Sequence, residues 1–295
     1  MSRKSLILGA SSFVGRHLVE QMGPAGLIGT FNSTPIPNGR HFDSTTMSLN
    51  DVIVDWDEIG SAVILMGDTQ PDSCIADTER SRAVNITGIV RVIDELHKRS
   101  VPIVFTSTEF VFDGTQGDYT EADTVNPVLL YGVQKLEIER YLETVGGTFT
   151  VLRLAKVYGL SRDDGTLFTG MHDAVRTENL IRCAADQRFS PVYVGDVVAA
   201  IIAAINGRLG GTYHVAGPEA KSRLECLELM ISAMHEREPV STKIEPCSIH
   251  DFDLPEPRPV DVSMRSDKLV DDLGIRLVSP VEACKKICSD YMLMA

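Results

Sequence analysis

The first fifteen residues restrict the chain to one kind of opening. Ser5-Leu6-Ile7-Leu8 has the character of a short buried strand and runs into Gly9-Ala10-Ser11-Ser12-Phe13-Val14-Gly15. Val14, Leu18 and Met22 then recur at helical spacing. Strand, glycine turn and helix in that order make a phosphate-binding βα opening, because the helix N-terminus presents backbone N–H groups and positive dipole to an anion. Gly9 permits the tight turn, and Gly15 lets the helix lie close against the strand. Ser12 stands where the usual pattern has its middle glycine, so backbone approach to phosphate is slightly less free. A chain that begins this way is expected to continue as strands and helices alternating around a parallel sheet.

The remaining sequence keeps that alternation. A second strand, Leu27–Phe31, ends in Asn32-Ser33-Thr34-Pro35. An acidic residue at this strand end would grip a ribose 2′-hydroxyl and select NAD. Asn32 and Ser33 stand there instead, with Arg40 beyond them, and leave room for the 2′-phosphate of NADP. Asp43 is a candidate for the adenine end or a solvated loop aspartate. Further strands are expected over 62–66, 102–106, 148–157 and 212–215. A helix begins near Asn85 with Ile86, Val90, Ile93 and Leu96 as its buried stripe. Residues 158–185 read as irregular insertions. A helix follows Asp196 through Ile205, Ser222-Arg223-Leu224-Glu225 is a capping box for another to about Met234, and a last helix lies near 280–292.

Chemistry concentrates in two stretches. Ser107-Thr108-Glu109-Phe110-Val111-Phe112-Asp113-Gly114 follows a strand, and polar residues at the carboxyl end of a parallel strand face the crevice where α/β folds bind ligands. Leu130-Tyr131-Gly132-Val133-Gln134-Lys135-Leu136 places a phenol and an ammonium one helical turn apart. A neighbouring cation favours the phenolate, so the pair is expected to pass a proton to or from a substrate oxygen near neutral pH.

Bulk properties narrow the classes. At 295 residues the chain can hold one large α/β domain or a domain with a smaller lobe, and its net charge of −13 argues against nucleic-acid or anionic-membrane binding. No apolar run approaches the roughly 20 residues of a membrane span, and the N-terminal apolar run is too short for a signal peptide. A cytoplasmic location is expected. Cys74, Cys183, Cys226, Cys247, Cys284 and Cys288 form no paired C-x-x-C motif, the seven histidines are dispersed, and no metal site is expected.

Taken together, these residues resemble the extended short-chain dehydrogenase/reductase family, and within it the dTDP-4-dehydrorhamnose reductase branch. The Gly9–Gly15 turn, Val84-Asn85, the Ser107–Gly114 run, Asn126-Pro127 with Tyr131-Gly132 and Lys135-Leu136, Arg153-Leu154 with Val157-Tyr158-Gly159, Ser190-Pro191 with Asp196, and Arg258-Pro259 are similar to its motifs in order and nearly in spacing. The resemblance implies a Rossmann-type doubly wound parallel sheet with a smaller, mostly C-terminal lobe. The cofactor domain would comprise residues 1–157 and 190–216, and the substrate lobe 158–189 and 217–295. It implies an NAD(P)H-dependent oxidoreductase of nucleotide-sugar metabolism, in dTDP-rhamnose biosynthesis, reducing a 4-keto-6-deoxy sugar nucleotide. Tyr131 would donate the proton, Lys135 would hold the nicotinamide ribose and lower the tyrosine pKa, and Thr108 would orient the reacting oxygen. Gly9, Ser11, Ser12, Phe13, Val14, Gly15, Asn32, Ser33, Asp43, Met66 and Lys135 would contact the cofactor. Thr108, Glu109, Phe110, Tyr131, Arg153 and Arg258 would contact substrate, the two arginines serving its nucleotide end or forming structural ion pairs. A homodimer is the candidate assembly.

Departures from the branch are Glu109 for aspartate, Phe110 for tyrosine, and Met66-Gly67-Asp68 where the family has asparagine–alanine–alanine. An epimerase or dehydrogenase of the same family on another substrate shares the Tyr–Lys pair, and the altered Ser12, Met66–Asp68 and Glu109 leave room for a non-catalytic nucleotide-binding regulatory subunit.

Overall fold

The computed structural model describes residues 3–237 and 239–292, and the chain divides into two units. The first comprises Met1–Val111, Pro127–Arg153 and Val198–Tyr213, the second Phe112–Asn126, Leu154–Val197 and His214–Ala295. Residues 112–126, 154–157, 190–197 and 214–216 thus group with the second unit, whereas the sequence boundaries assigned 1–157 and 190–216 to the first.

The first unit is built on a seven-stranded sheet. Its strand order is Gly211–Val215, Phe149–Leu154, Ile103–Thr108, Ile59–Ile64, Lys4–Leu8, Leu27–Phe31, Arg40–His41. Lys4–Leu8 pairs in parallel with Leu27–Phe31 on one side and with Ile59–Ile64 on the other. The order reverses at that strand, so the chain makes a topological switch point where Leu8 and Ile64 lie side by side. Helix Phe13–Met22 follows the first strand, and Gly88–His97 buries Ile89, Val92, Ile93 and Leu96 in the same core as Leu6, Leu8, Ile64 and Phe105. Ile138 and Leu142 of helix Leu130–Val145 join that core. Each fully buried side chain of this size contributes about 1.5–3 kcal/mol relative to an exposed one. The doubly wound parallel architecture expected from the sequence is the one observed.

Several expected elements differ in detail. The strand expected over 62–66 is Ile59–Ile64, and that over 102–106 is Ile103–Thr108, which carries Thr108 at its end. Asn85 does not start a helix. It lies within a π-helical stretch, Ala83–Thr87, between helices Thr78–Arg82 and Gly88–His97. Ile86, Ile93 and Leu96 are buried as expected, and Ile89 and Val92 join them, whereas Val90 is half-buried. The β-branched run over 148–157 forms a strand only over Phe149–Leu154. Val157–Tyr158 pairs instead with Val192–Tyr193.

In the second unit, 158–185 is not irregular. It contains helix Leu167–Thr177 and strand Leu180–Ala184, which pairs in parallel with Lys243–Cys247. Helix Arg223–His235 begins at the expected capping box, with the Glu225 amide donating to Ser222 Oγ at 3.0 Å. It packs with Leu167–Thr177 and Pro280–Met292 around buried Cys226, Met230, Cys284, Ile287 and Cys288. Cys284 and Cys288 are therefore core thiols, and Cys288 Sγ lies 3.8 Å from Met230 Sδ. Among the described residues no helix is long and apolar enough to cross a membrane.

Candidate active site

The glycine turn closes the carboxyl end of the first strand. Gly9 has φ of +92°, and a Cβ there would lie 2.8 Å from the Met66 amide nitrogen. Only glycine allows this turn to rest on the backbone that leaves the neighbouring strand. The Ala10 amide donates to Thr30 O at 2.8 Å, which ties the turn to the second strand as well. A Cβ on Gly15 would meet Ala10 backbone atoms at 2.8 Å, so its absence brings the ten-residue helix onto the turn. Ser12 is the N-cap, with its Oγ accepting from the Gly15 amide at 3.1 Å. The residue that departs from the glycine pattern therefore starts the helix. Ser11, Phe13 and Val14 are half-buried around it, with Phe13 edge-on to His17.

Asn32 and Ser33 are exposed at the end of the second strand. Arg40 donates to Val52 O, so its guanidinium is engaged inside the fold. Asp43 accepts from the Thr45 amide at 2.8 Å and from Thr45 Oγ1 at 2.6 Å, and these bonds hold its carboxyl below the usual range. A local turn accounts for this aspartate. Met66 is half-buried beside Gly9.

Thr108, Phe110, Tyr131 and Lys135 come together in the first unit. Tyr131 is buried with the Thr108 side chain beside it, and the Phe110 amide donates to Thr108 Oγ1 at 3.3 Å. The Phe110 ring meets the Tyr131 ring edge-on, 6.4 Å between centroids, and Glu109 is buried nearby. Gly132 makes this meeting possible. A Cβ there would lie 2.8 Å from the Phe110 carbonyl carbon.

The Tyr131 pKa is raised, where the neighbouring lysine led to the expectation of a lowered one. Burial raises the Tyr131 pKa well above the ordinary phenol value, and nearby Cys74, Glu109 and Asp68 add to the rise against the Thr108 side chain. Burial also lowers Lys135 to about 8, with Glu139 acting in the opposite sense. Lys135 Nζ donates to Thr106 O at 2.8 Å and lies 5.9 Å from the Tyr131 ring centroid.

Arg153 takes the structural alternative. Its Nη2 donates to Glu139 Oε2 at 2.8 Å and its Nε to both carboxylate oxygens at 3.2 Å, with both residues buried. Ser107 Oγ donates to the same carboxylate. Arg258 belongs to the second unit, where its Nη1 donates to Glu256 O at 3.2 Å.

Sequence reasoning missed Glu139 and Gln134. Glu139 continues the four-residue spacing of Tyr131 and Lys135 down one helix face, and that periodicity was its available signal. In the second unit it also missed a cavity of about 570 Å³ with Lys156, Arg182 and Arg223 in its lining.

The model of the RmlD substrate binding domain family matches residues 3–292. The dTDP-4-dehydrorhamnose reductase of Sinorhizobium fredii is 26% identical over 233 residues, spanning 76% of this chain and 78% of its own. The methionine adenosyltransferase 2 subunit beta of Xenopus tropicalis is 25% identical over 245 residues, spanning 79% and 72%. The crystal structure of dTDP-4-dehydrorhamnose reductase from Bacillus anthracis in complex with NADP has the same fold, with a TM-score of 0.80 at 20% identity over 98% of this chain and 100% of that one. Because the family model spans nearly the whole sequence, the chain belongs to the RmlD substrate binding domain family.

Proposed function

We propose that the protein is an NAD(P)H-dependent reductase of a 4-keto-6-deoxy sugar nucleotide, with Tyr131 as its proton donor. The observation that carries this reading is the buried Tyr131 beside Thr108 at the end of a parallel strand, followed one turn later by buried Lys135.

The residues present suit a dinucleotide. Side chains at Gly9 or Gly15 would fill the turn, and a ten-residue helix starts there with its N-terminus available for pyrophosphate. Gly9, Ser11, Ser12, Phe13, Val14 and Gly15 would hold that end, with Asn32 and Ser33 near the adenosine ribose and Met66 beside the turn. With no acidic residue at 32 or 33, NADP is favoured over NAD. When bound, the cofactor supplies hydride to the substrate carbonyl carbon.

The chain's own residues handle the proton. The raised Tyr131 pKa keeps Oη protonated across the neutral range, as a donor in reduction requires. The carbonyl oxygen, held by the Thr108 hydroxyl, takes the Tyr131 proton as its carbon is reduced, and the phenolate left behind faces Lys135. A protonated Lys135, whose Nζ lies 5.9 Å from the Tyr131 ring centroid, would favour that phenolate by Coulombic attraction. Phe110 packs on the Tyr131 ring and limits its rotation. In the second unit, a cavity lined by Lys156, Arg223 and Arg182, the last ion-paired with Glu245, and by Glu178 is a candidate for the anionic end of the substrate. Arg258 remains a candidate for the same anionic end.

The test is NADPH and NADH oxidation, followed at 340 nm with dTDP-4-keto-6-deoxyhexose. Wild type should consume cofactor, and Tyr131→Phe should lower kcat by about 10²–10⁴ with little change in cofactor affinity. Tight cofactor binding without oxidation by wild type refutes the reductase and fits the non-catalytic regulatory reading.

A further inference from the structure

A continuous chain of buried side-chain amides and hydroxyls runs from the Gly67–Asp68 segment to the helix that carries Tyr131 and Lys135. The Asp68 amide donates to Asn85 Oδ1 at 2.7 Å, and Asn85 Nδ2 donates back to Asp68 O at 3.0 Å. The side chain of Asn85 thereby pairs with Asp68 as one strand residue pairs with another. Asn85 Nδ2 also donates to Gln134 Oε1 at 2.7 Å, Gln134 Nε2 donates to Ser81 Oγ at 2.9 Å, and Ser81 Oγ donates to Cys74 O at 3.0 Å. Both ends of the Gln134 amide are used, and Asn85 and Gln134 are only 1% and 2% exposed. Because each donor has a fixed acceptor, neither amide can flip without breaking two bonds. Gly67 completes the fit, since a Cβ there would lie 3.0 Å from Asn85 Oδ1.

Gln134 lies three residues after Tyr131 and immediately before Lys135. Its anchoring therefore fixes the rotation of the helix that presents both. The other end of the chain of bonds holds the backbone just beyond the switch-point strand Ile59–Ile64, next to the Gly9 turn. The Asp68 carboxylate is pinned in turn by Ser73 Oγ at 2.5 Å and Arg80 Nη1 at 2.9 Å. This acidic turn is one of the segments where the sequence differs from the motifs it resembles.

We propose that Gln134 is a positioning residue, whose amide, held between Asn85 and Ser81, keeps the Tyr131–Lys135 helix at one spacing and rotation relative to the Gly67–Asp68 segment. The inference rests on the reductase reading, in which that segment borders the cofactor and the helix supplies the proton.

The experiment compares full-length wild type, Gln134→Leu and Gln134→Glu. It measures kcat and KM for NADPH oxidation with dTDP-4-keto-6-deoxyhexose from pH 5.5 to 8.5, amide hydrogen exchange at Gly67 and Asp68, and Tm. Gln134→Leu should lose about 10–100-fold in kcat, the scale of a displacement near 1 Å at a reacting group, with KM within about threefold. Its Asp68 amide should exchange faster. A neutral glutamic acid at 134 can still accept from Asn85 and donate to Ser81. Gln134→Glu should therefore approach wild-type kcat at low pH and lose it through an added ionisation absent from the other two proteins. Should Gln134→Leu fail to fold, this pH profile alone decides. Unchanged kcat in folded Gln134→Leu, unchanged exchange at Asp68, or a wild-type pH profile in Gln134→Glu overturns the proposal. A wild type that oxidises no NADPH overturns the reductase reading instead, and amide exchange still judges the positioning contact.

Discussion

Gly132→Ala tests how closely Tyr131, the proposed proton donor, depends on backbone packing. The new Cβ would lie 2.8 Å from the Phe110 carbonyl carbon, with the carbonyl oxygen nearer still, and 3.1 Å from Pro127 Cβ. Non-bonded carbons settle at roughly 3.5–4.0 Å, so relief requires a displacement of about 1 Å. Neither neighbour is the loose end of a side chain that can swing away. Tyr131 precedes Gly132, and Thr108 stands two residues before Phe110, so a movement that relieves the overlap also separates the two hydroxyls. Overpacking of this kind destabilises by about 1–3 kcal/mol, which corresponds to about 2–12 °C in Tm for a unit of this size. The same displacement at a reacting group lowers the rate on the order of 10²-fold. The assay is kcat for NADPH oxidation at saturating substrate, with Tm by scanning fluorimetry. Val133→Ala is the control, because that neighbour is exposed. A Gly132→Ala protein with Tm within about 1 °C and kcat within about twofold of wild type would refute the argument.

Two further predictions concern titration. Lys135 is lowered from 10.5 to about 8, so between those pH values the unfolded chain binds more protons than the folded one, and the stability this group contributes rises with pH. The urea-unfolding free energy of wild type minus that of Lys135→Met should increase from pH 8 to 10 by up to about 1.4 kcal/mol per pH unit, whereas a constant difference contradicts the assignment. In the second unit, Asp113 is held well below the usual carboxylate range by hydrogen bonds from Asn126, Thr115 and Tyr119. Its depressed value gives a contribution that is present above the ordinary carboxylate pKa and lost as pH falls below it. Asp113→Asn should lose about 1–3 kcal/mol at pH 7 and show a flatter decline in stability between pH 5 and 2, and a parallel decline in both proteins would contradict this.

What the sequence revealed and what it hid have physical causes. Leu27–Phe31, the Phe13–Met22 helix and the Ser222–Glu225 capping box are specified by residues within a turn or two of each other, and the structure has them where local pattern places them. Leu180–Ala184 becomes a strand by pairing with Lys243–Cys247, a partner that no local period announces. The strand run over 148–157 was cut short for the same reason, since Val157 finds its partner at Val192. At the site, residue types and spacing marked Thr108, Tyr131 and Lys135. The links from Asn85 to Gln134 and from Gln134 to Ser81 span 49 and 53 residues, and nothing in either neighbourhood signals them. Arg153 was ambiguous because an arginine at a strand end suits both an anionic ligand and a buried carboxylate. Its alignment with Glu139 appears only once strand and helix are packed.

The same distinction explains why the expected effect of Lys135 on Tyr131 is missing. A lysine lowers a neighbouring phenol's pKa only while it is itself charged. With Lys135 near 8 and Tyr131 above its ordinary value, the ammonium loses its proton first on a rising pH scale and is neutral when the phenol titrates. During turnover near pH 7 the order of events differs. In the proposed reaction Tyr131 would give up its proton to a substrate oxygen while Lys135 still carries charge, and the stabilisation would then fall on the phenolate that proton transfer creates. Burial thus keeps the donor loaded beforehand, and the ammonium acts on what remains afterwards. Glu139, one turn beyond Lys135, raises the lysine toward the charged form while its carboxylate is tied to Arg153 and Ser107. The ion pair behind the site and the phenol in front of it are therefore parts of one arrangement. The proposed reaction needs Lys135 cationic at the pH where Tyr131 is neutral; Glu139 favours the first condition and burial the second.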